Sequence, residues 1–271
     1  MDINKLEIEG RIKFYSYDWD ASIDKNKRKL TEAAYTSRIN DKLNLIIIHQ
    51  LNSSTFKVQP EINYMNEKAL GFFEVENLRP QFGDCLQILA FSCFSGTDEN
   101  FNYFIKAMKI ISEYETEHAS QRDYQYYKCL CKIWEGEMDI ALEILNNNVS
   151  QKGNKKFYLP SSEAAIRSML DKNEDLFIEL IENMRDEHAK KHKNIRFLNQ
   201  SFAMGVVAYP AMALLKVSEK YFCKDIAEKI SPKQHTFKFL PRFIDDVDLD
   251  ARGEFTIDHM FPLKFWPCNQ C

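Results

Sequence analysis

The chain has 271 residues, of which 45% are apolar, and a formal net charge of −4 at pH 7. That length allows one large domain or two small ones, and the apolar fraction is ample for a core. The mildly acidic balance gives no general electrostatic reason to bind nucleic acid or an anionic membrane, since both need clustered Lys and Arg. We therefore expect a globular protein that binds neither.

Residue usage indicates long helices in a reducing compartment. Glycine and proline number only eight each, which disfavours a turn-rich β fold. The seven cysteines are an odd number spread through apparent helices, so we expect reduced, mostly buried thiols. The N-terminus lacks the apolar stretch of a signal peptide, and no window reaches the roughly 18 apolar residues of a membrane span. These features predict a cytoplasmic protein.

The first 80 residues predict a helical cap on the rest of the fold. Residues 1–20 end in FYSYDWD, whose alternation suggests a short extended segment. Apolar residues at helical spacing follow from Asp24 to Leu51, and a short helix is expected from Glu61 to about Phe73. Pro80 then breaks the chain, because the residue before a proline resists helical dihedrals.

Residues 81–193 repeat one pattern three times. From Lys128 to Asn147, apolar residues at helical spacing are interrupted at Gly136 and then resume, which is typical of a helical hairpin. The same pattern recurs 36 positions later around Lys172, and a weaker copy turns at Gly96. Such periods resemble tetratricopeptide units. We predict an all-α single domain, residues 1–271, built of stacked antiparallel helical hairpins.

The last part of that domain, residues 194–271, begins with a strongly apolar segment. Phe202 to Phe222 should be the most buried helix, and Pro210 should kink that helix or mark its break. From Ile230 the tail has too many apolar residues for disorder, so it should pack back on the hairpins.

Calcium binding is the first site hypothesis, because DDVDLDARGE carries carboxylates at alternate positions like an EF-hand loop. Such a loop needs glycine at the sixth position and a bidentate carboxylate at the twelfth. Counted from Asp246, Gly253 is eighth and Ile257 is twelfth, so calcium binding is disfavoured. A solvated face or an acidic patch for a basic partner fits better.

Two further patterns could hold a metal. His188 and His192, at i and i+4, could share a helical face and bind zinc with a third ligand. They lie in a strongly charged helix end, where a capping or surface role is favoured. Cys268 and Cys271 have CxxC spacing at the chain terminus but lack the βαβ context of a redox motif. We predict no metal and no cofactor.

No recognised nucleophile, zinc-protease or phosphate-loop motif is present, so the sequence predicts a protein that is not an enzyme. A helical enzyme whose residues meet only in three dimensions stays open.

The region from about Met169 to Phe243 resembles the bacterial immunity protein 49 family of polymorphic toxin systems. The resemblance rests on MLDKNEDLFIELIENMRDEHAKKH, the apolar FAMGVVAYPAMALLKVSEKYF, and FKFLPRFI. It implies an all-helical protein that neutralises a cognate toxin, encoded nearby, by binding it, and it implies no catalytic residues.

An immunity protein would occlude the toxin's active site, and a nuclease toxin would have a basic groove. Acidic loops would then take the place of phosphate. The candidate partner-binding residues are the hairpin-turn acids and the tail acids: Glu135, Glu137, Asp171, Glu174, Asp175, Asp245, Asp246, Asp248 and Asp250. The alternative is a helical-repeat scaffold or regulatory protein that binds a peptide in its concave groove. The oligomeric state stays open.

Overall fold

The computed structural model describes residues 58–73, 81–113, 122–150, 157, 159–196, 205–222, 224–240 and 254–266. The predicted N-terminal extended segment, the helix expected over Asp24 to Leu51 and the four tail aspartates from Asp245 to Asp250 lie outside these ranges. Within them the protein is mostly helical, as predicted.

The described chain forms eight α-helices, three strands and two 3-10 helices. In order these are α1 (Val58–Phe73), α2 (Phe82–Ser95), α3 (Asp98–Ser112), α4 (Arg122–Glu135), α5 (Met138–Ser150), α6 (Ser162–Leu170), α7 (Glu174–Lys191), β1 (Asn194–Arg196), α8 (Tyr209–Ser218), a 3-10 helix (Lys224–Lys229), β2 (Gln234–Leu240), β3 (Glu254–Asp258) and a second 3-10 helix (Phe261–Phe265).

Three pairs of consecutive helices form the body of the described chain. α2 packs against α3, α4 against α5, and α6 against α7. α1 covers the first hairpin, where the buried Asn100 amide donates to Asn63 Oδ1 and its Oδ1 accepts from Asn66 Nδ2, both at 2.6 Å. Buried polar groups of this kind are stable only when hydrogen-bonded, so the amides fix the position of α1.

The second and third hairpins turn in the same way. Gly136 donates its N–H to the carbonyl of Ile133, and Lys172 donates to that of Met169, both at 3.1 Å. In each turn the next residue donates its N–H to the carbonyl five residues earlier: Glu137 to Lys132 at 2.8 Å, and Asn173 to Ser168 at 2.9 Å. Each pair of bonds is a Schellman motif, which ends the first helix and satisfies its last carbonyls.

α8 lies at the centre of the fold and is buried along its whole length. It contacts α2, α4, α6 and α7, so it touches all three hairpins. The chain is helical at 205–206, breaks at 207–208, and resumes at Tyr209, with Pro210 in the first turn, where its missing N–H costs no hydrogen bond. Pro210 therefore marks a break, and the predicted deep burial is confirmed.

The C-terminal part adds a small sheet that the sequence patterns did not predict. β2 is central, parallel to β1 and antiparallel to β3. After β3, the Trp266 indole N–H donates to the carbonyl of Cys93 at 2.7 Å, at the end of α2. This contact places the described end of the tail against the first hairpin.

Candidate functional site

The turns of the second and third hairpins expose large apolar side chains. Ile140 and Leu176 are each 41% exposed, and Leu142 is 38% exposed. Ile140 is the third residue of α5 and Leu176 the third residue of α7, so the two occupy equivalent positions 36 residues apart. In the first hairpin the third residue of α3 is Asn100, which α1 buries completely. The exposed apolar residue thus recurs at the second and third turns but not at the first, against which α1 packs.

The acids predicted at these turns fall into two groups. Three carboxylates pair with lysines of the same chain: Glu135 with Lys109 and Lys132, Glu137 with Lys132, and Glu174 with Lys229. The other two, Asp171 and Asp175, are exposed, as is Asp139, which the sequence argument did not select. The structure therefore places exposed carboxylates beside both Ile140 and Leu176.

A cleft of about 550 Å³ opens between α3 and α4, beside the second turn. Its walls include Tyr103 and Lys106 from α3 and Trp134 and Glu135 from α4. The Trp134 indole N–H donates to Asn102 Oδ1 at 2.9 Å, and Lys220 Nζ lies 3.7 Å from the centroid of the Trp134 ring. These contacts hold the indole rigidly, which preorganises that wall of the cleft.

A second feature is a cluster of four histidines between α7 and the sheet. The rings of His188 and His192 stack with centroids 4.3 Å apart. His259 follows β3 and lies edge-on to His188 at 5.2 Å and to His235 of β2 at 5.4 Å. His259 is fully buried, and neither of its ring nitrogens has a hydrogen-bond partner among the described residues.

Burial sets the charge state of this cluster. The pKa of His259 is lowered to about 2, chiefly by burial and also by the neighbouring His235, His192 and Arg185, against an opposing effect of Asp186. Burial also lowers the pKa of His192, with help from Lys191. The pKa of His235 is lowered by burial as well, although Asp186 opposes the change. At neutral pH these three rings are therefore uncharged.

Of the capping or surface role favoured for His188, the surface role is wrong, since the side chain is only 2% exposed. The sequence around His188 is strongly charged, whereas His259, which packs against it, lies 71 positions later in the chain. Among the described residues, no three His, Cys, Asp or Glu side chains are placed to hold a metal ion together.

Sequence reasoning missed part of the histidine cluster and the exposed apolar residues of the turns. His235 and His259 gave no local signal that they would join His188, since only the fold brings them together. The recurrence of Ile140 and Leu176 at the 36-residue period was visible in the sequence, but helical periodicity alone does not show which apolar residues are exposed.

Comparison of the chain with models of known protein families, with curated proteins and with solved structures finds no match. Within the described ranges, no helix has the length and apolar character that crossing a membrane requires.

Proposed function

We propose that this chain is a cytoplasmic immunity protein that binds a cognate bacterial toxin and neutralises it by occluding its active site. The resemblance of Met169 to Phe243 to the immunity protein 49 family suggests this class of protein. The observation that carries the proposal is the repeated exposure of a large apolar residue, Ile140 and Leu176, at two equivalent hairpin turns.

Single exposed apolar residues are ordinary on protein surfaces, but their recurrence at one structural position is not explained by folding. Each is flanked by exposed carboxylates, Asp139 at the second turn and Asp171 and Asp175 at the third. An apolar anchor ringed by acids fits a partner whose apolar patch is bordered by Lys and Arg. A nuclease toxin has such a basic border around its groove.

The alternative function, a scaffold that holds a peptide in a concave groove, is less well supported. In a stacked arrangement like that of tetratricopeptide proteins, the first helices of the hairpins line the groove. Here those helices are α2, α4 and α6, and all three contact α8 of the same chain. The outer turns are thus better placed than this face to receive a partner.

The cleft beside Trp134 extends this surface toward the first hairpin. Its half-buried Tyr103 and rigid Trp134 could receive an aromatic or arginine side chain from the toxin, the residue types that dominate binding energy in protein interfaces. Glu135 lines the cleft and so joins it to the second turn.

Co-expression with the product of the neighbouring upstream reading frame tests the proposal. We expect that product to arrest growth alone, growth to be restored by this chain, and the two proteins to purify as a complex. A harmless neighbour that forms no complex would overturn the assignment.

Variants of the turns then test the surface itself. Ile140→Asp and Leu176→Asp should each weaken the complex by at least about tenfold, because a charge would replace the apolar anchor. Thr236→Asp is the matched control, since it adds the same charge at an exposed position of β2. Equal binding by all three variants would exclude the turns from the interface.

A further inference from the structure

We infer that the four histidines form an acid-sensitive latch, which holds the C-terminal sheet against α7 at neutral pH and releases it on acidification. The inference is independent of the proposed function, since it concerns contacts within the chain.

Polar contacts join α7 to β2 and to the residues just before β2, beside the four histidines. Asp186 of α7 accepts hydrogen bonds from Lys233 and from His235, the latter at 3.1 Å. The guanidinium of Arg185, which is 2% exposed, donates to the carbonyl of Ser231. His259 closes the contact by packing against His188 and, at 4.3 Å, against Phe237. Neutral imidazoles can pack in this way like other aromatic rings.

Among the described residues, a proton on His259 would find no adequate counter-ion. The groups that face this region are, from α7, Arg185, Asp186, His188 and His192; from β2 and the residues before it, Lys233 and His235; and from its own turn, Asp258. Of these described groups only two are anionic. Asp186 is already shared by Arg185, Lys233 and His235, and Asp258 accepts the backbone N–H groups of Lys233 and Met260. Charging the ring would therefore place an unneutralised cation in the core.

The direction of the pH effect follows from linkage. A histidine in the released segment takes up a proton with a pKa near 6.5, whereas buried His259 does not, so the closed state loses stability as the pH falls below about 6.5. Each pH unit below 6.5 raises the equilibrium constant for release by a factor of about ten, which gives a rise of about 30-fold at pH 5 from His259 alone. His192 and His235 act in the same direction, since their pKa values are also lowered. The lowered pKa of Asp186 has an effect only at about pH 4 and below, so it does not mask this change.

Amide hydrogen exchange of the full chain, corrected for the intrinsic effect of pH on exchange, tests the latch. Between pH 7 and pH 5 we expect protection in Gln234–Leu240 and Glu254–Asp258 to fall about 30-fold or more, while α2 and α3 keep theirs. Undiminished protection of the strands, or an equal loss in every helix, would overturn the latch.

Two variants separate titration from general destabilisation. His259→Phe keeps a ring beside Phe237 but cannot take up a proton, so the loss of strand protection between pH 7 and pH 5 should be about 30-fold smaller than in the unaltered chain, leaving only the part due to His192 and His235. Phe91→Leu, a change in the buried face of α2, should lower protection by the same amount at both pH values. Acid-induced loss of strand protection in His259→Phe that matches the unaltered chain would overturn the latch.

Should His259→Phe fail to fold, nuclear magnetic resonance of the unaltered chain with labelled histidines tests the latch by following the protonation of the His259 ring. The His259 ring signal should stay that of a neutral imidazole while the strands remain protected. A ring that titrates near pH 6.5 with the strands still protected would overturn the latch.

Discussion

Gly136 and Lys172 lie 36 positions apart and share one backbone conformation, with φ of +83° and +57° at the same position of two equivalent turns. Glycine adopts this left-handed conformation without strain, whereas a side chain with a Cβ costs about 1 kcal/mol. The third hairpin thus keeps its turn in spite of an unfavourable residue, because the Schellman bonds and the packing of α6 on α7 determine the backbone there.

Replacing Lys172 with glycine should stabilise the protein by about 0.5–1 kcal/mol, since it removes the strain and leaves the hydrogen bonds in place. The matched change, Gly136→Ala, should destabilise it by about 1 kcal/mol through the backbone alone, because no described atom outside the adjoining residues lies within 4 Å of the added Cβ. Urea unfolding of the three proteins measures both effects. A destabilised Lys172→Gly variant would contradict this account of the turn.

Gly96 is constrained by a neighbour as well as by its φ of +65°. A Cβ at this position would lie 2.3 Å from Cγ of Trp266. Gly96→Ala should therefore displace the indole and destabilise the protein by about 2–4 kcal/mol, from overpacking and backbone strain together.

A double-mutant cycle with Trp266→Ala, measured by urea unfolding, isolates the clash. Gly96→Ala should cost about 1–2 kcal/mol less when Trp266 is already alanine, because only the backbone strain remains. Purely additive effects would mean that Trp266 does not pack on this turn in solution.

The sequence predicted the hairpins and the buried α8 because helical periodicity is a local signal. Gly96 and Gly136 marked two turns, and the acidic break at Asp171 to Asn173 marked the third. The sheet escaped prediction for the opposite reason. β1 has three residues and pairs with a strand some 44 positions later, so its hydrogen bonds depend on contacts that no local pattern specifies.

The candidate site was predicted less well than the fold. Acids at turns are easy to select from the sequence. The sequence could not show, however, that Glu135, Glu137 and Glu174 would pair with lysines of the same chain. Nor could helical spacing distinguish Ile140, which is exposed, from its buried neighbour Ala141. Exposure at a turn depends on whether another helix covers it, as α1 covers the first hairpin.

Lys216 provides a test of the buried charges around α8. Its ammonium is 3% exposed and lies 2.6 Å from both Asp98 Oδ1 of α3 and Glu219 Oε2, whose side chain is 8% exposed. Lys216→Met should destabilise the protein by about 3 kcal/mol, because it removes the cation that neutralises the buried Glu219.

Removing both charges should restore most of that loss. In the double variant Lys216→Met, Glu219→Leu the buried carboxylate of Glu219 is removed as well, and apolar side chains of similar size replace the pair. Thermal or urea unfolding compares the single and double variants. A double variant no more stable than Lys216→Met would show that the pair contributes through packing or Asp98 rather than through charge neutralisation.

Leu176 and Phe177 are neighbours in the chain with opposite environments, and they separate folding from binding. Leu176 is 41% exposed, whereas Phe177 is fully buried, with its ring centroid 5.1 Å from that of Phe222. Phe177→Ala should cost about 3–5 kcal/mol of unfolding free energy, and Leu176→Ala less than about 1 kcal/mol. Urea unfolding measures both, and the affinity for a co-purified partner is then measured with Leu176→Ala alone.

A weaker complex formed by a fully stable Leu176→Ala protein assigns the exposed leucine to the interface, because a folding defect is already excluded. Unchanged affinity would mean that the apolar residue at the third turn has no part in binding.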